Sequence, residues 1–157
     1  MRLLGVLVGW LALAAAWPAL AGEKFDPKEV RVITPTTATS KCIGDPKTPI
    51  CAVETFLACI ERRDLQLCNI VGVNDIHLPD QPGSVRYRIL KSRILADKDI
   101  PKRLKNVSWL KPGYADITIL LPDVRHPWCA EGCQKDFSAK PTGAGWSIAS
   151  WAMQGAD

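Results

Sequence analysis

Six cysteines are the residues of this chain best equipped for chemistry. Four of them fall between Cys42 and Cys68, in CIGDPKTPICAVETFLACIERRDLQLC; the others are Cys129 and Cys133. Cysteine can bind a metal, exchange electrons or staple a fold, and spacing separates the three. The intervals are Cys-x8-Cys, Cys-x7-Cys and Cys-x8-Cys, then one Cys-x3-Cys. Structural zinc sites use tight pairs at both ends, with about two to four residues between ligands. Only one tight pair exists here, so no metal site is expected. There is no Cys-x-x-Cys for a redox centre. An even cysteine count favours disulfides if the chain leaves the cytoplasm.

The remaining candidates for chemistry are few. His77 has Asp75 and Asp80 near it in VNDIHLPDQPGS, and a His–carboxylate pair can do acid–base work. A solvated polar loop is the plainer reading. His126 precedes Pro127 and Trp128 and reads as exposed. Asp116 lies on the strand face opposite Ala115, Ile117 and Ile119, where it lines a pocket or meets solvent. Arg86, Arg88, Lys91 and Arg93 share one face of a strand, and Arg86 to Lys111 holds nine Lys or Arg against two Asp. Such a stripe can meet an anionic surface, or simply keep an exposed sheet soluble. Nucleic acid is not expected, because the one aromatic there, Tyr87, points the other way. Asn106-Val107-Ser108 is a short match to a glycosylation acceptor and carries little weight.

The elements that must position these residues begin with a helix. Thr48-Pro49 is a start signal: a capping hydroxyl followed by proline at the first helical position. Ile50, Val53, Phe56, Leu57 and Ile60 then recur at three- and four-residue steps, while Glu54, Glu61 and Arg62 fall off that stripe. A helix over 50–62 is expected. It sets Cys51 and Cys59 about 12 Å apart, too far for a disulfide, which needs Cα atoms within about 7 Å. Asp64 caps a second short helix, LQLCNIV, ended by Gly72. The pairing this favours is Cys42–Cys51, Cys59–Cys68 and Cys129–Cys133. Cys42–Cys59 with Cys51–Cys68 is the alternative.

Beyond Gly72 the period changes to two. Val85, Tyr87 and Ile89 alternate with cations, and the phase slips at Ile89-Leu90, as a β-bulge would make it. Ala115, Ile117, Ile119 and Leu121 share one face of the next strand. The chain turns back near 126–140, with WCAEGCQKDF at the bend. GAGWSIASWAM is read as a last strand in unbroken alternation: Trp146, Ile148 and Ser150 one way, Ala149, Trp151 and Met153 the other. A short strand at 29–33 precedes the helices, followed by a linker-like PTTATSK, so 22–47 is expected to be a partly mobile arm. Helices first and strands after give an α+β layout.

The ends and the composition bound the rest. Arg2, an uncharged run of 15 residues and Ala19-Leu20-Ala21 form a secretory signal peptide over 1–21. That run is shorter than the roughly twenty residues of a bilayer span. Cleavage leaves 136 residues, enough for one domain, and lowers the formal charge from +4 to +3. The mature chain is expected in the periplasm or secreted, without a membrane span and without a cofactor.

AVETFLACIERRDLQLCNIVG resembles the opening helix pair of nuclear transport factor 2-like proteins, a superfamily that includes ketosteroid isomerase and scytalone dehydratase. GWSIASW is similar to that family's last strand. The resemblance covers most of 48–153, within a domain taken as 48–157. It implies a helix pair packed in a strongly bent, cone-shaped antiparallel sheet, a cystatin-like roll enclosing a pocket. The six cysteines and the want of a third helix after Gly72 depart from the pattern, and no catalytic residue of the family has a match here. The expectation is a non-enzymatic domain that binds a small apolar ligand or an envelope protein. A pocket lyase or isomerase using Asp or His, and a structural protein that dimerises, are the alternatives. Pocket chemistry discriminates: an enzyme needs a carboxylate or His with a shifted pKa in apolar surroundings.

Overall fold

The computed structural model describes residues 24–154; the signal-peptide reading of 1–21 lies outside them. Helix α1 spans Pro49–Arg62 and α2 spans Leu65–Ile70. The Thr48 hydroxyl accepts from the Cys51 N–H, which starts α1 as its sequence requires. Arg63 ends it in the left-handed region at φ 55°. Its N–H then reaches the carbonyls of Cys59 and Ile60. The next residue, Asp64, accepts from the N–H groups of Gln66 and Leu67 and starts α2. One reversal of two residues, Arg63 and Asp64, thus brings Cys59 and Cys68 face to face, with Cα atoms 5.1 Å apart.

Five antiparallel strands form one open sheet in chain order: β1 (Arg31–Ile33), β2 (Val85–Ile94), β3 (Ala115–Leu121), β4 (Cys133–Thr142) and β5 (Gly145–Met153). The fold is α+β, and β1 and β5 are the edges of the sheet. Leu90 is the extra residue of a bulge in β2, where Ile89 pairs Ile119 and Lys91 pairs Thr118. A second bulge falls at Ala149: Ser138 pairs Ser150 but Ala139 pairs Ile148. It interrupts the alternation read for the last strand. Trp146 and Ile148 are buried before it; after it Trp151 packs on Phe56 and Met153 on the core. One unpaired residue turns every later side chain to the other face.

The core lies between α1 and the sheet. Ile50, Val53, Phe56 and Leu57 meet Tyr87, Ile89, Ile117, Ile119, Phe137, Trp146 and Ile148. Phe56 and Phe137 meet edge to face with centroids 5.7 Å apart. The segment read as an arm covers the other side of α1. Gly44 donates to the Thr55 hydroxyl, and Arg62 donates to the carbonyls of Thr34 and Thr37. Pro46 accepts from the Trp146 N–H, and a Cβ on Gly145 would strike that same carbonyl, so glycine is required there. Helix α1 is therefore covered on two sides, and every residue from Pro49 to Cys59 is buried.

The cysteines form Cys42–Cys51, Cys59–Cys68 and Cys129–Cys133, and no free cysteine is left. Cys59 and Cys68 are fully buried at the turn that orients α2. Replacing both by alanine is expected to cost about 2–3 kcal/mol, from the short loop they close. Chemical denaturation checks this; an unchanged midpoint would mean that the turn holds without its bridge.

Candidate functional site

Two polar groups break the apolar face that the sheet turns toward α1. The first break is Tyr87, which meets Glu54 of α1. Glu54 is 1% exposed, although its place off the apolar stripe predicted a solvated side chain. The arm explains the difference, because it adds partners on the side where solvent was expected. Oε1 of Glu54 accepts from Arg31 at 2.6 Å and from the Tyr87 hydroxyl at 2.7 Å; Oε2 accepts from Ser40. Arg31 and Tyr87 are register partners on β1 and β2, so one sheet pairing delivers both donors. Burial opposes the Arg31 charge, but the hydrogen bond and charge of Glu54, with Glu29 behind it, hold that guanidinium above its ordinary pKa. Burial, with the Glu54 charge, pushes the Tyr87 hydroxyl far up, so it remains a donor. This carboxylate is fully partnered. Its work is to lock arm, helix and sheet together.

The second break is different. Lys135 on β4 pairs Ile119 on one side and Met153 on the other, which sets it on the helix-facing surface. Its ammonium stands 5.7 Å from the Phe56 ring centroid and 5.6 Å from that of Phe137. Glu61, in the last turn of α1, acts on it electrostatically. Burial raises the Glu61 carboxyl above its ordinary pKa, with the Lys135 charge pulling it partly back. Burial likewise lowers the Lys135 ammonium, with Glu61 partly restoring it. Neither takes part in an ion pair among the described residues. Trp151, 40% exposed, lies 4.8 Å from Phe56 centroid to centroid and extends the same aromatic cluster. A half-buried cation over aromatic rings, with its counter-charge held off, can receive an anionic group or move a proton.

The residues singled out by sequence mostly lie elsewhere. Arg86 pairs Asp123 at 3.5 Å; Lys91 and Arg93 both pair Asp116, and Arg93 also reaches Asp99 at 3.8 Å. Arg88 alone of the four has no ion pair among the described residues. Asp116 is thus an outer-face anchor, away from α1. His77, Asp75 and Asp80 are exposed and make no hydrogen bond to one another among the described residues. His126 is exposed and packs on Trp128. Glu54, Glu61 and Lys135 were missed. Their signals were present: Ile50, Glu54, Leu57 and Glu61 follow i, i+4, i+7, i+11, and Cys133, Lys135, Phe137 and Ala139 alternate.

Fold and bonds together define a disulfide-bonded α+β domain of an oxidising, extracytoplasmic compartment. No family model, no curated protein and no solved structure matches the chain. Among the described residues no helix is long and apolar enough to cross a membrane.

Two outcomes are expected. Tyr87→Phe leaves Glu54 short of one donor and costs about 1–3 kcal/mol in denaturation; a neutral result would make the hydroxyl dispensable. Lys135→Met removes a charge that folding partly desolvates, and raises the melting temperature by about 2–4 °C, the equivalent of ~1 kcal/mol in a chain of this size. The sign follows from linkage: the unfolded chain holds the Lys135 proton more tightly. The native amine therefore loses its proton first, and the penalty disappears as pH rises through its lowered pKa toward the unfolded value. Wild type and Lys135→Met should accordingly converge in melting temperature at alkaline pH. A gap that persists there would assign it to packing.

Proposed function

We propose that this domain is an exported, non-enzymatic binding protein, and that its ligand is a small apolar molecule with one anionic head group. The observation that carries the reading is Lys135, a cation without an ion pair among the described residues, set among Phe56, Phe137 and Trp151. Desolvating a charge without a partner costs several kcal/mol when burial is complete, and an arriving anion cancels that cost. The aromatic rings offer the apolar part its contact. The nuclear transport factor 2-like resemblance, with its strongly bent cone, belongs to this proposal. The succession of a helix pair and antiparallel strands supports it, as do two bulges of the kind that bend strands.

A second reading is a lyase or isomerase working at the same cluster of side chains, with Glu61 in place of the expected Asp or His. The opposed shifts of Glu61 and Lys135 favour it, because they bring a carboxyl and an amine closer in acidity. Binding has precedence because the two groups do not touch.

The test is a titration with a dansyl-labelled fatty acid, followed by emission from the dansyl group. Saturable binding of one equivalent is expected, weakened at least tenfold by Lys135→Met and equally by esterifying the carboxylate of the probe. Equal affinity for wild type and variant, or no binding, would remove the proposal.

A further inference from the structure

The Cys42–Cys51 disulfide does not stand alone. It lies against the Glu54 carboxylate at the wall of a cleft of about 340 Å³ between the arm and α1, also lined by Arg31, Ser40 and Lys41. Sγ of Cys42, Sγ of Cys51 and a carboxylate oxygen of Glu54 all lie within 4.8 Å of one another. We infer that reduction of this one disulfide converts its surroundings into a zinc site, with Cys42, Cys51 and Glu54 as ligands.

The spacing of sulfur and carboxylate is already close to what the metal needs, and the two sulfurs separate on reduction. Tetrahedral zinc with Zn–S of about 2.3 Å and Zn–O of about 2.0 Å sets its sulfur and oxygen ligands about 3.5 Å apart. Cys42 Sγ stands 3.3 Å from Glu54 Oε2. Ser40 Oγ is 3.3 Å from the same sulfur and bonds the same carboxylate oxygen, which places a fourth donor atom beside the site. Arg31 and Tyr87 both hold Oε1 and leave Oε2 turned to the sulfurs. That is how outer partners commonly orient a metal-binding carboxylate. The charges close as well: two thiolates and a carboxylate are matched by zinc and the Arg31 guanidinium.

The redox step is thiol–disulfide exchange with an external dithiol. A thiolate of the reductant attacks the Cys42 sulfur and expels the Cys51 thiolate. The second thiol of the reductant then attacks the mixed disulfide, releases Cys42 and leaves as its own disulfide. Zinc takes the place of the two cysteine protons. Access separates this bridge from one of the other two: Cys42 is half-buried at the cleft, whereas Cys59 and Cys68 are fully buried; Cys129 is half-buried like Cys42. Zinc binding opposes reoxidation, so the site would report both reductant and metal.

The experiment uses the full chain carrying Cys129→Ser and Cys133→Ser, which removes the one close cysteine pair. It is titrated with Co²⁺ and then Zn²⁺, before and after a phosphine reductant, with alkylation and mass spectrometry naming the free thiols. One Co²⁺ per chain is expected after reduction only, with thiolate-to-cobalt charge-transfer absorption that Zn²⁺ abolishes. Adding Cys42→Ser and Cys51→Ser should erase the absorption. Glu54→Gln should weaken Co²⁺ at least tenfold; where it does not fold, the shorter Glu54→Asp replaces it with the same expectation. The inference is overturned if Cys42 and Cys51 are free and no absorption appears. It is equally overturned if the absorption survives loss of both cysteines, or if neither Glu54 variant changes affinity.

Discussion

The buried carboxylate of Glu54 is the constraint around which this fold is arranged. An ionised side chain taken from water is costly unless its acceptor positions are filled. Here the filling comes from three places: Arg31 on the edge strand, Ser40 in the arm and Tyr87 in β2. No one of these segments can leave without stranding the charge. The arm, poor in apolar residues, is thereby fixed by polar chemistry, and the apolar half of α1 is free to face the sheet. Lys135, near the C-terminal end of the helix, has no such set of partners among the described residues. The contrast is between a closed polar network and an open one.

Local signals were legible in the sequence wherever a few neighbouring residues decide the outcome. Thr48-Pro49 and Asp64 mark the helix starts because a side chain caps its own next turn. The bulge at Leu90 appeared as a slip in alternation. Helical rise excluded Cys51–Cys59 and favoured Cys42–Cys51, with Cys42–Cys59 and Cys51–Cys68 as the alternative that the structure then decided against. What escaped depends on distant partners. Glu54 reads as a solvated helix residue until Arg31 and Ser40, which lie 23 and 14 residues earlier in the chain, are placed beside it. Ala149 sits in a run whose alternation works in either phase, so its bulge is visible only against the register with β4. Lys135 alternates correctly with Phe137, yet a lysine is normally read as outward, and that habit hid the candidate site.

The outer face of the sheet is electrostatically quieter than its composition implies. Asp116, Asp123 and Asp99 stand among the cations of β2. Exposed pairs of this kind add about 0–1 kcal/mol each. Their larger effect is to break up a uniform positive field, so long-range attraction toward an anionic surface falls mainly to Arg88 and to the basic loop 98–111.

The disulfides also carry information about order in time. Each bridge joins cysteines nine or four residues apart, and the strands pair in the sequence in which they occur. A chain emerging N-terminus first into an oxidising space would meet each correct thiol partner before the next cysteine pair arrives. Mispairing across distant cysteines is thus disfavoured by the sequence of emergence itself. Loops this short also close fast. The molecule is built to assemble as it is threaded, with little left for an isomerase to correct.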